Sequence, residues 1–151
     1  MKILVCVKRV PAPGARIMLS DDRRSIDTNM LGFTTSPHEE CAVEAAVQLI
    51  EAHGGSATVL TLGPPEAEEQ LRTAVSVGAD DAVLLRTETL DWDPMATAGA
   101  LEPAIRQLEL EEPFDLILFG NESADSGGYQ VGIRVARALG RPIVSLSLIH
   151  I

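Results

Sequence analysis

One stretch decides the fold, residues 114–140, which reads FDLILFGNESADSGGYQVGIRVARALG. Its first six residues are almost all apolar, which is typical of a parallel strand buried on both faces. A loop rich in glycine and serine follows, and residues 129–139 are predicted to form a helix that ends at Gly140. A strand, a loop and a helix in this order predict a β-α unit whose loop lies at the carboxyl edge of a sheet.

The rest of the chain alternates in the same way. Apolar runs predict further strands, and segments with helical spacing lie between them. The alternation predicts a three-layer, doubly wound α/β fold with a parallel sheet of about five strands and helices on both faces. A small hairpin is predicted outside this sheet, at residues 16–28. The predicted strands are 2–7, 57–62, 82–85, 114–119 and 142–148.

Two helix starts carry clear signals. Ser36 is a favoured N-cap residue, Pro37 fits the first helical position, and Glu39 completes a capping box. Asp93 followed by proline repeats this cap-then-proline order. Pro103 lies inside the third predicted helix and should kink it or split it in two.

Composition narrows the classes of function. The chain has 151 residues and a net charge of 12 − 22 = −10, which argues against nucleic-acid binding and against anionic membrane surfaces. A single bound nucleotide is still allowed, because it responds to local donors. The two cysteines have no metal-binding or disulfide spacing, so we expect no metal and a reduced, cytoplasmic setting. No apolar stretch is long enough to span a membrane.

Ligands of open α/β sheets bind beyond the carboxyl ends of the strands, where the strand order reverses. The first and fourth predicted strands should meet there, which places Lys8 and Arg9 opposite the loop 120–128. That loop offers glycines, hydroxyls and a helix start, which suit a phosphate. Glu122 and Asp125 suit ribose hydroxyls better. Two alternatives remain open: Ser126 or Asp125 merely caps the helix, and the basic pair is merely solvated.

Other residues have ordinary interpretations. Arg134 is expected to form a surface salt bridge, although it could reach a phosphate. His38 could contact a base, but a histidine without a ligand at a helix start is slightly favoured. Cys6 and Cys41 are predicted to be small core residues, and Trp92 is predicted to pack as a staple beside a helix start. No catalytic constellation is visible.

Several segments together, in this order and spacing, resemble the electron transfer flavoprotein beta subunit. The resemblance covers nearly the whole chain, to about Ser145. The segments are VCVKRVP (5–11), SPHEECAVEAA (36–46), LGPPE (62–66), LRTA (71–74), GAD (78–80), DPMATA (93–98) and DLILFG (115–120) with the loop to residue 132.

The resemblance implies a Rossmann-like fold of the adenine nucleotide alpha hydrolase-like type. It also implies an electron carrier without its own catalytic site, in a heterodimer with an alpha subunit. The pair would carry electrons from flavin dehydrogenases to an acceptor, with FAD held mainly by the alpha subunit and AMP or a second FAD held here. With Lys8 added from the sheet argument, the expected nucleotide contacts are Cys6, Lys8, Ser36, Pro37, His38, Glu39, Leu62, Gly120, Asn121, Glu122, Ser123, Ala124, Asp125, Ser126, Gly127, Gly128, Tyr129, Gln130 and Val131.

The sequence departs from the family pattern at several positions. The family usually has Asn at position 36, an aromatic residue at 38 and Lys at 121, so AMP, FAD and another adenine dinucleotide all remain open. Two alternatives are a stand-alone ATP-binding module of the universal-stress-protein type and a hydrolase-like enzyme. The enzyme would need an SGGxDS-type loop, which residues 8–14 do not supply. We expect a nucleotide-binding domain at 1–145 and an aberrant or truncated tail at 146–151.

Overall fold

The computed structural model describes residues 1–88 and 92–145. Ten helices and strands follow one another in this part of the chain, with a short 3₁₀ turn at Pro65–Ala67. In chain order they are β1 (Lys2–Val7), β2 (Arg9–Pro11), β3 (Phe33–Thr35), α1 (Pro37–His53), β4 (Ser56–Gly63), α2 (Glu68–Val77), β5 (Asp81–Arg86), α3 (Pro94–Leu108), β6 (Leu116–Phe119) and α4 (Val131–Leu139).

The main sheet is parallel and has the order β5-β4-β1-β6. Strand β1 pairs with β4 on one side and with β6 on the other, with Cys6 opposite both Leu60 and Phe119. The chain builds outward from β1 through β4 to β5 and then returns to the other side of β1. The strand order therefore reverses between β1 and β6, as the sequence predicts.

Helices cover both faces of this sheet. Side chains of β1 alternate between the faces, as they must in a pleated strand. Ile3, Val5 and Val7 join the core beneath α1 and α2, while Leu4 and Cys6 join the core beneath α3 and α4. The chain thus has the predicted three-layer α/β architecture.

The fifth predicted strand is not seen in the part of the chain that the structure describes. Residues 142–145 have no strand structure, and the remainder of the prediction, 146–148, lies outside the described residues, as does the tail expected at 146–151. Arg141 donates to the carbonyl oxygen of Phe114 at 3.0 Å and to Glu109 Oε1 at 2.6 Å. These bonds hold the end of α4 beside the segment that leads into β6.

The small hairpin lies outside the main sheet, as predicted. Leu19 and Ile26 form an antiparallel bridge, and the amide of Ser20 donates to the carbonyl of Ser25 at 2.9 Å. Strands β2 and β3 form a separate antiparallel pair beside it. We call residues 14–31, which contain this hairpin, the arm.

Pro103 does not split the third helix. Helix α3 runs through it as one element, so the predicted split is wrong. Leu101 and Ile105, on either side of the proline, are both buried in the core beneath α3 and α4. Because tertiary packing supplies most of the stability of a helix, this burial offsets the missing backbone donor. Within the described ranges, no helix is long and apolar enough to cross a membrane.

Candidate functional site

A cavity of about 560 Å³ lies where the strand order reverses, at the carboxyl edge of the sheet. The ends of β1, β4 and β6 form its floor, and the starts of α3 and α4 form its sides. The lining residues are Cys6, Val7, Lys8, Glu39, Leu62, Trp92, Asp93, Pro94, Thr97, Leu101, Phe119, Gly120, Asn121, Glu122, Ser123, Ser126, Gly127, Gly128, Gln130, Val131 and Gly132.

Most of the residues predicted to contact a nucleotide line this cavity. The structure brings together residues that are more than one hundred positions apart in the chain. Their binding role stays a prediction, but their proximity is a property of the fold. The predicted residues that do not line the cavity are Ser36, Pro37, His38, Ala124, Asp125 and Tyr129.

Glu39 is a buried carboxyl group on the cavity floor, only 6% exposed. Its Oε2 accepts a hydrogen bond from the amide of Ser36 at 3.2 Å, which is one half of the predicted capping box. The capping box that the sequence predicts at Ser36 and Glu39 is therefore present at the start of α1. Burial raises the pKa of Glu39 to about 7, against the backbone hydrogen bonds from Lys8 and Ser36 and the charge of Lys8.

Gly120 packs directly against Glu39. A Cβ added at position 120 would overlap the Glu39 side chain and approach the Glu39 amide nitrogen at 2.8 Å. Only glycine therefore lets the loop after β6 lie this close to the start of α1. Gly120 therefore forms part of the cavity floor, and its contact with Glu39 fixes the position of its backbone.

Lys8 lines the cavity, with its side chain 36% exposed. Its Nζ donates to Asp125 Oδ2 at 2.7 Å and to Oδ1 at 2.9 Å, and it lies 3.5 Å from Ser126 Oγ. Burial acts to raise the pKa of Asp125, but hydrogen bonds from Lys8, Ser123 and Ser126 and the charge of Lys8 hold it below its ordinary value. This ion pair joins the end of β1 to the loop after β6.

Arg9 does not point into the cavity, contrary to the prediction. Its guanidinium lies over the Phe33 ring, 3.5 Å from the ring centroid. The negative face of an aromatic ring attracts a guanidinium, and β2 carries Arg9 away from the sheet edge towards β3. Burial lowers the pKa of Arg9, while the carboxylates of Glu66 and Glu69 act to raise it.

The start of α4 has no side-chain cap. Its N-cap residue is Gln130, whose side chain makes no capping bond, and no other side chain in the described part of the chain bonds to the first turn. Asp125 instead accepts from the amide of Ser126 at 2.7 Å, and Ser126 Oγ lies 2.9 Å from Ser123 Oγ. The alternative in which Ser126 or Asp125 merely caps this helix is therefore wrong.

Arg134 also differs from its prediction. Its guanidinium donates to Gln130 Oε1 at 2.8 and 3.2 Å, one turn away on the same helix. Among residues 1–88 and 92–145 no carboxylate forms the expected surface salt bridge with it, and it does not line the cavity. The interaction holds the amide side chain at the helix start, while the backbone of Gln130 and Val131 remains on the wall.

The start of α3 forms one side of the cavity. The sequence analysis did not predict this helix start as part of the site. Asp93 Oδ1 accepts from the amides of Met95 and Ala96 at 2.8 and 3.0 Å, which is the predicted cap. A signal for its position existed, because helices that follow parallel strands begin at the carboxyl edge. Trp92 was predicted as a staple; it lies on the wall, 39% exposed, with Nε1 donating to Thr87 Oγ1 at 3.1 Å.

His38 and the cysteines complete the predicted residues. His38 Nε2 lies 3.9 Å from Glu122 Oε1, but its exposed side chain is off the cavity wall. Cys6 is buried, as predicted, and burial raises the pKa of its thiol, with a further rise from Glu39. Cys41 is exposed, so its predicted place in the core is wrong. Its position on α1 faces away from the sheet.

The arrangement suits binding of a molecule with one anionic end. Lys8, the hydroxyls of two serines and an uncapped helix start line the cavity together with apolar side chains such as Leu62 and Phe119. Within residues 1–88 and 92–145, no group of three or more His, Cys, Asp or Glu side chains is placed to hold a metal ion.

Comparison with known proteins identifies the family. Residues 26–146 match the model of the electron transfer flavoprotein domain. The chain is 39% identical to Protein FixA of Azorhizobium caulinodans over 93% of this chain and 50% of that protein. It is 36% identical to the electron transfer flavoprotein subunit beta of Megasphaera elsdenii, and 34% identical to that of Bacillus subtilis; each match covers 96% of this chain and 55% of the relative.

The chain spans about half the length of the curated relatives that it matches. The matched residues include β4, β6, α1, α3 and α4, together with the loop 120–130 on the cavity wall. The resemblance stated from individual segments is thus confirmed over most of the sequence. The chain belongs to the electron transfer flavoprotein family and resembles its beta subunits.

Proposed function

We propose that this chain binds AMP or FAD in the cavity between β1 and β6. It pairs with an alpha subunit, and the pair shuttles electrons from flavin dehydrogenases to an acceptor. One observation carries the proposal: a cavity at the reversal of strand order has an uncapped helix start and a lysine at one end. The family membership supports the role in electron transfer.

The cavity fits a nucleotide in size. Its volume of about 560 Å³ lies inside the range of roughly 300–1,000 Å³ that small-molecule sites span. The wall mixes apolar side chains with a few polar groups, which is the usual composition of such sites.

The phosphate belongs beside α4. The first amides of that helix are not used by a side-chain cap, and a helix start favours an anion. Ser123 and Ser126 add hydroxyl donors, and Lys8 adds the positive charge. Gly127 has a φ of +59°, a left-handed conformation that brings the backbone of the loop to the cavity.

The base belongs beside Cys6 and Leu62, which line the cavity with a buried thiol and an apolar side chain. A flat and largely uncharged base suits such surroundings. Glu122 also lines the cavity, and its carboxylate can accept hydrogen bonds from ribose hydroxyls.

The pairing and the electron transfer rest on the family. The relatives include electron transfer flavoprotein beta subunits and the electron transfer subunit gamma of an acryloyl-CoA reductase. A flavin supplies the redox chemistry when it is bound. The residues of this chain bind and orient the nucleotide, and the wall residues that we assign to these tasks act by contact and charge.

Identification of the copurified nucleotide tests the binding. The purified chain is denatured, and the released small molecules are analysed by mass spectrometry. We expect AMP or FAD in a ratio near one per chain. ATP accompanied by measurable turnover would contradict the proposal and would favour the hydrolase-like or stress-protein alternative.

Co-expression with an alpha subunit of the same family tests the pairing. We expect a complex that survives gel filtration and carries flavin absorbance. A chain that elutes alone, while the alpha subunit keeps its flavin, would contradict the pairing. That result would leave the nucleotide assignment to be judged by mass spectrometry.

A further inference from the structure

Lys8, which lines the cavity, forms an ion pair with Asp125. Both carboxylate oxygens of Asp125 lie within hydrogen-bond distance of Lys8 Nζ, at 2.9 and 2.7 Å. The two residues come from different segments, because one follows β1 and the other lies in the loop after β6. Lys8 lines the cavity, whereas Asp125 does not.

Lys8 has no substitute among the wall residues. Within residues 1–88 and 92–145, it is the one lysine or arginine that lines the cavity, beside the acidic residues Glu39, Asp93 and Glu122. Arg9 is stacked on Phe33, and Arg134 is bonded to Gln130, so neither faces the ligand. A phosphate in this cavity must therefore draw its positive charge from Lys8.

Asp125 already accepts the hydrogen bonds that a bound phosphate would need. Its carboxylate accepts from Lys8 Nζ and from the amide of Ser126, and the Ser126 hydroxyl lies 3.5 Å from Lys8 Nζ. A phosphate oxygen and a carboxylate oxygen accept the same donors. When a phosphate takes Lys8, Asp125 loses its countercharge and keeps only the hydrogen bonds from Ser123 and Ser126, while its side chain is 23% exposed. Removing the countercharge of a partly buried carboxylate is costly.

We propose that Asp125 competes with the phosphate of the bound nucleotide for Lys8 and thereby sets the affinity of the cavity for phosphorylated ligands. The inference rests on the proposed nucleotide binding and adds a specific consequence. Loss of the Lys8–Asp125 ion pair weakens the binding of ligands that have a phosphate beside Lys8, and it does not affect the corresponding nucleosides. Asp125 is thus a residue that determines affinity without lining the cavity.

Asp125→Asn tests the competition. Asparagine keeps the shape of the side chain and an oxygen that can accept from Ser126, but it does not bind Lys8 as an ion. Binding of AMP and of adenosine to nucleotide-free protein is measured by calorimetry at neutral pH. We expect AMP to bind on the order of tenfold more tightly to the variant, which corresponds to about 1.4 kcal/mol, and adenosine to bind unchanged.

Two controls separate the contact from simple net charge. Asp81→Asn removes the same charge from an exposed position on β5 outside the cavity and should leave AMP affinity unchanged. In a Lys8→Gln background, Asp125→Asn should tighten AMP much less than it does in the wild type. An equal gain in both backgrounds would overturn the inference, because the effect would then not pass through Lys8.

The outcomes distinguish the two proposals. Wild-type protein that binds neither AMP nor adenosine contradicts the proposed function and, with it, the competition. Wild-type protein that binds AMP, together with an Asp125→Asn variant that binds it equally or more weakly, contradicts the competition alone. If circular dichroism shows that this variant is unfolded, Asp125→Ser is measured under the same criteria.

Discussion

Two helices begin at the cavity, and their starts are built differently. At α3, Asp93 accepts hydrogen bonds from the amides of Met95 and Ala96, whereas no side chain caps α4. A cap and an anionic ligand use the same unpaired amides of a first turn. The capped start therefore serves the stability of the fold, while the uncapped start leaves its donors for a ligand.

Helix α1 shows a third arrangement at the same edge. Its cap residue is fully buried, and the carboxylate of Glu39 bonds to the amide of Ser36 from inside the cavity floor. This start belongs with the capped class, but its capping group is a buried charge. The following experiments test the division between capped and uncapped starts, from the largest expected effect to the smallest.

Glu39→Gln should remove a pH dependence of stability. The pKa of Glu39 is raised in the folded state from 4.5 to about 7, so folded protein holds the proton that unfolded protein releases. Stability from this group is complete below pH 4.5 and is lost as the pH rises through about 7. The loss amounts to roughly 3 kcal/mol.

Urea unfolding across this pH window provides the measurement. The wild type should lose stability relative to Glu39→Gln as the pH rises, because the amide does not titrate. Parallel curves for the two proteins would show that Glu39 has an ordinary pKa. In that case the Glu39 carboxyl on the cavity floor would be ionised throughout this pH range.

Gly127→Val should weaken nucleotide binding by about tenfold or more, because a β-branched residue at a positive φ is strained by roughly 1–3 kcal/mol. The position has a φ of +59° and lines the cavity, so relief of the strain moves the loop that feeds α4. Helical content, measured by circular dichroism, should stay near that of the wild type.

Gly14→Val is the matched control for this variant. Gly14 also has a positive φ, +79°, but it lies in the arm, where an added Cβ would meet nothing within 4 Å. It should carry a comparable strain and leave nucleotide affinity unchanged. Unchanged retention of nucleotide by Gly127→Val would mean that the loop is only a connection between β6 and α4.

Asp93→Ala should destabilise the protein by about 1 kcal/mol, the usual cost of losing an N-cap. The amides of Met95 and Ala96 lose their acceptor, and the start of α3 frays. Asp93→Asn is the control, because asparagine caps equally well while it removes the charge. Chemical unfolding checks both variants, and equal losses would assign the effect to charge and not to the cap.

Patterns of local sequence account for most of the fold. The apolar run at Lys2–Val7 forms a central strand, and the cap-then-proline signals at Ser36 and Asp93 mark helix starts within the fold. Alternation of strands and helices also placed the cavity between β1 and β6, since right-handed crossovers leave few topologies. These features depend on residues that are close together in the sequence, so they can be predicted from the sequence.

Other features depend on partners that are distant in sequence. The stacking of Arg9 on Phe33, the continuity of α3 through Pro103 and the place of Trp92 on the cavity wall each follow from packing between elements. Local rules for basic pairs and prolines give the wrong expectation for Arg9 and for the split at Pro103, and the rule for staples does not indicate that Trp92 lines the cavity. Cys41 is exposed because it lies on the side of α1 opposite to the buried residues Val43 and Ala46.

The layer architecture, the point where the strand order reverses and the membership in the electron transfer flavoprotein family could be predicted from the sequence, because periodicity and motif order are local properties. The contacts between charged groups at the cavity could be seen only in the folded chain. The pairing of Lys8 with Asp125 spans 117 positions, and the burial of Glu39 against Gly120 joins the start of α1 to the loop after β6. Electrostatics in a cavity depends on distance and burial in space, and these are set by the packed fold.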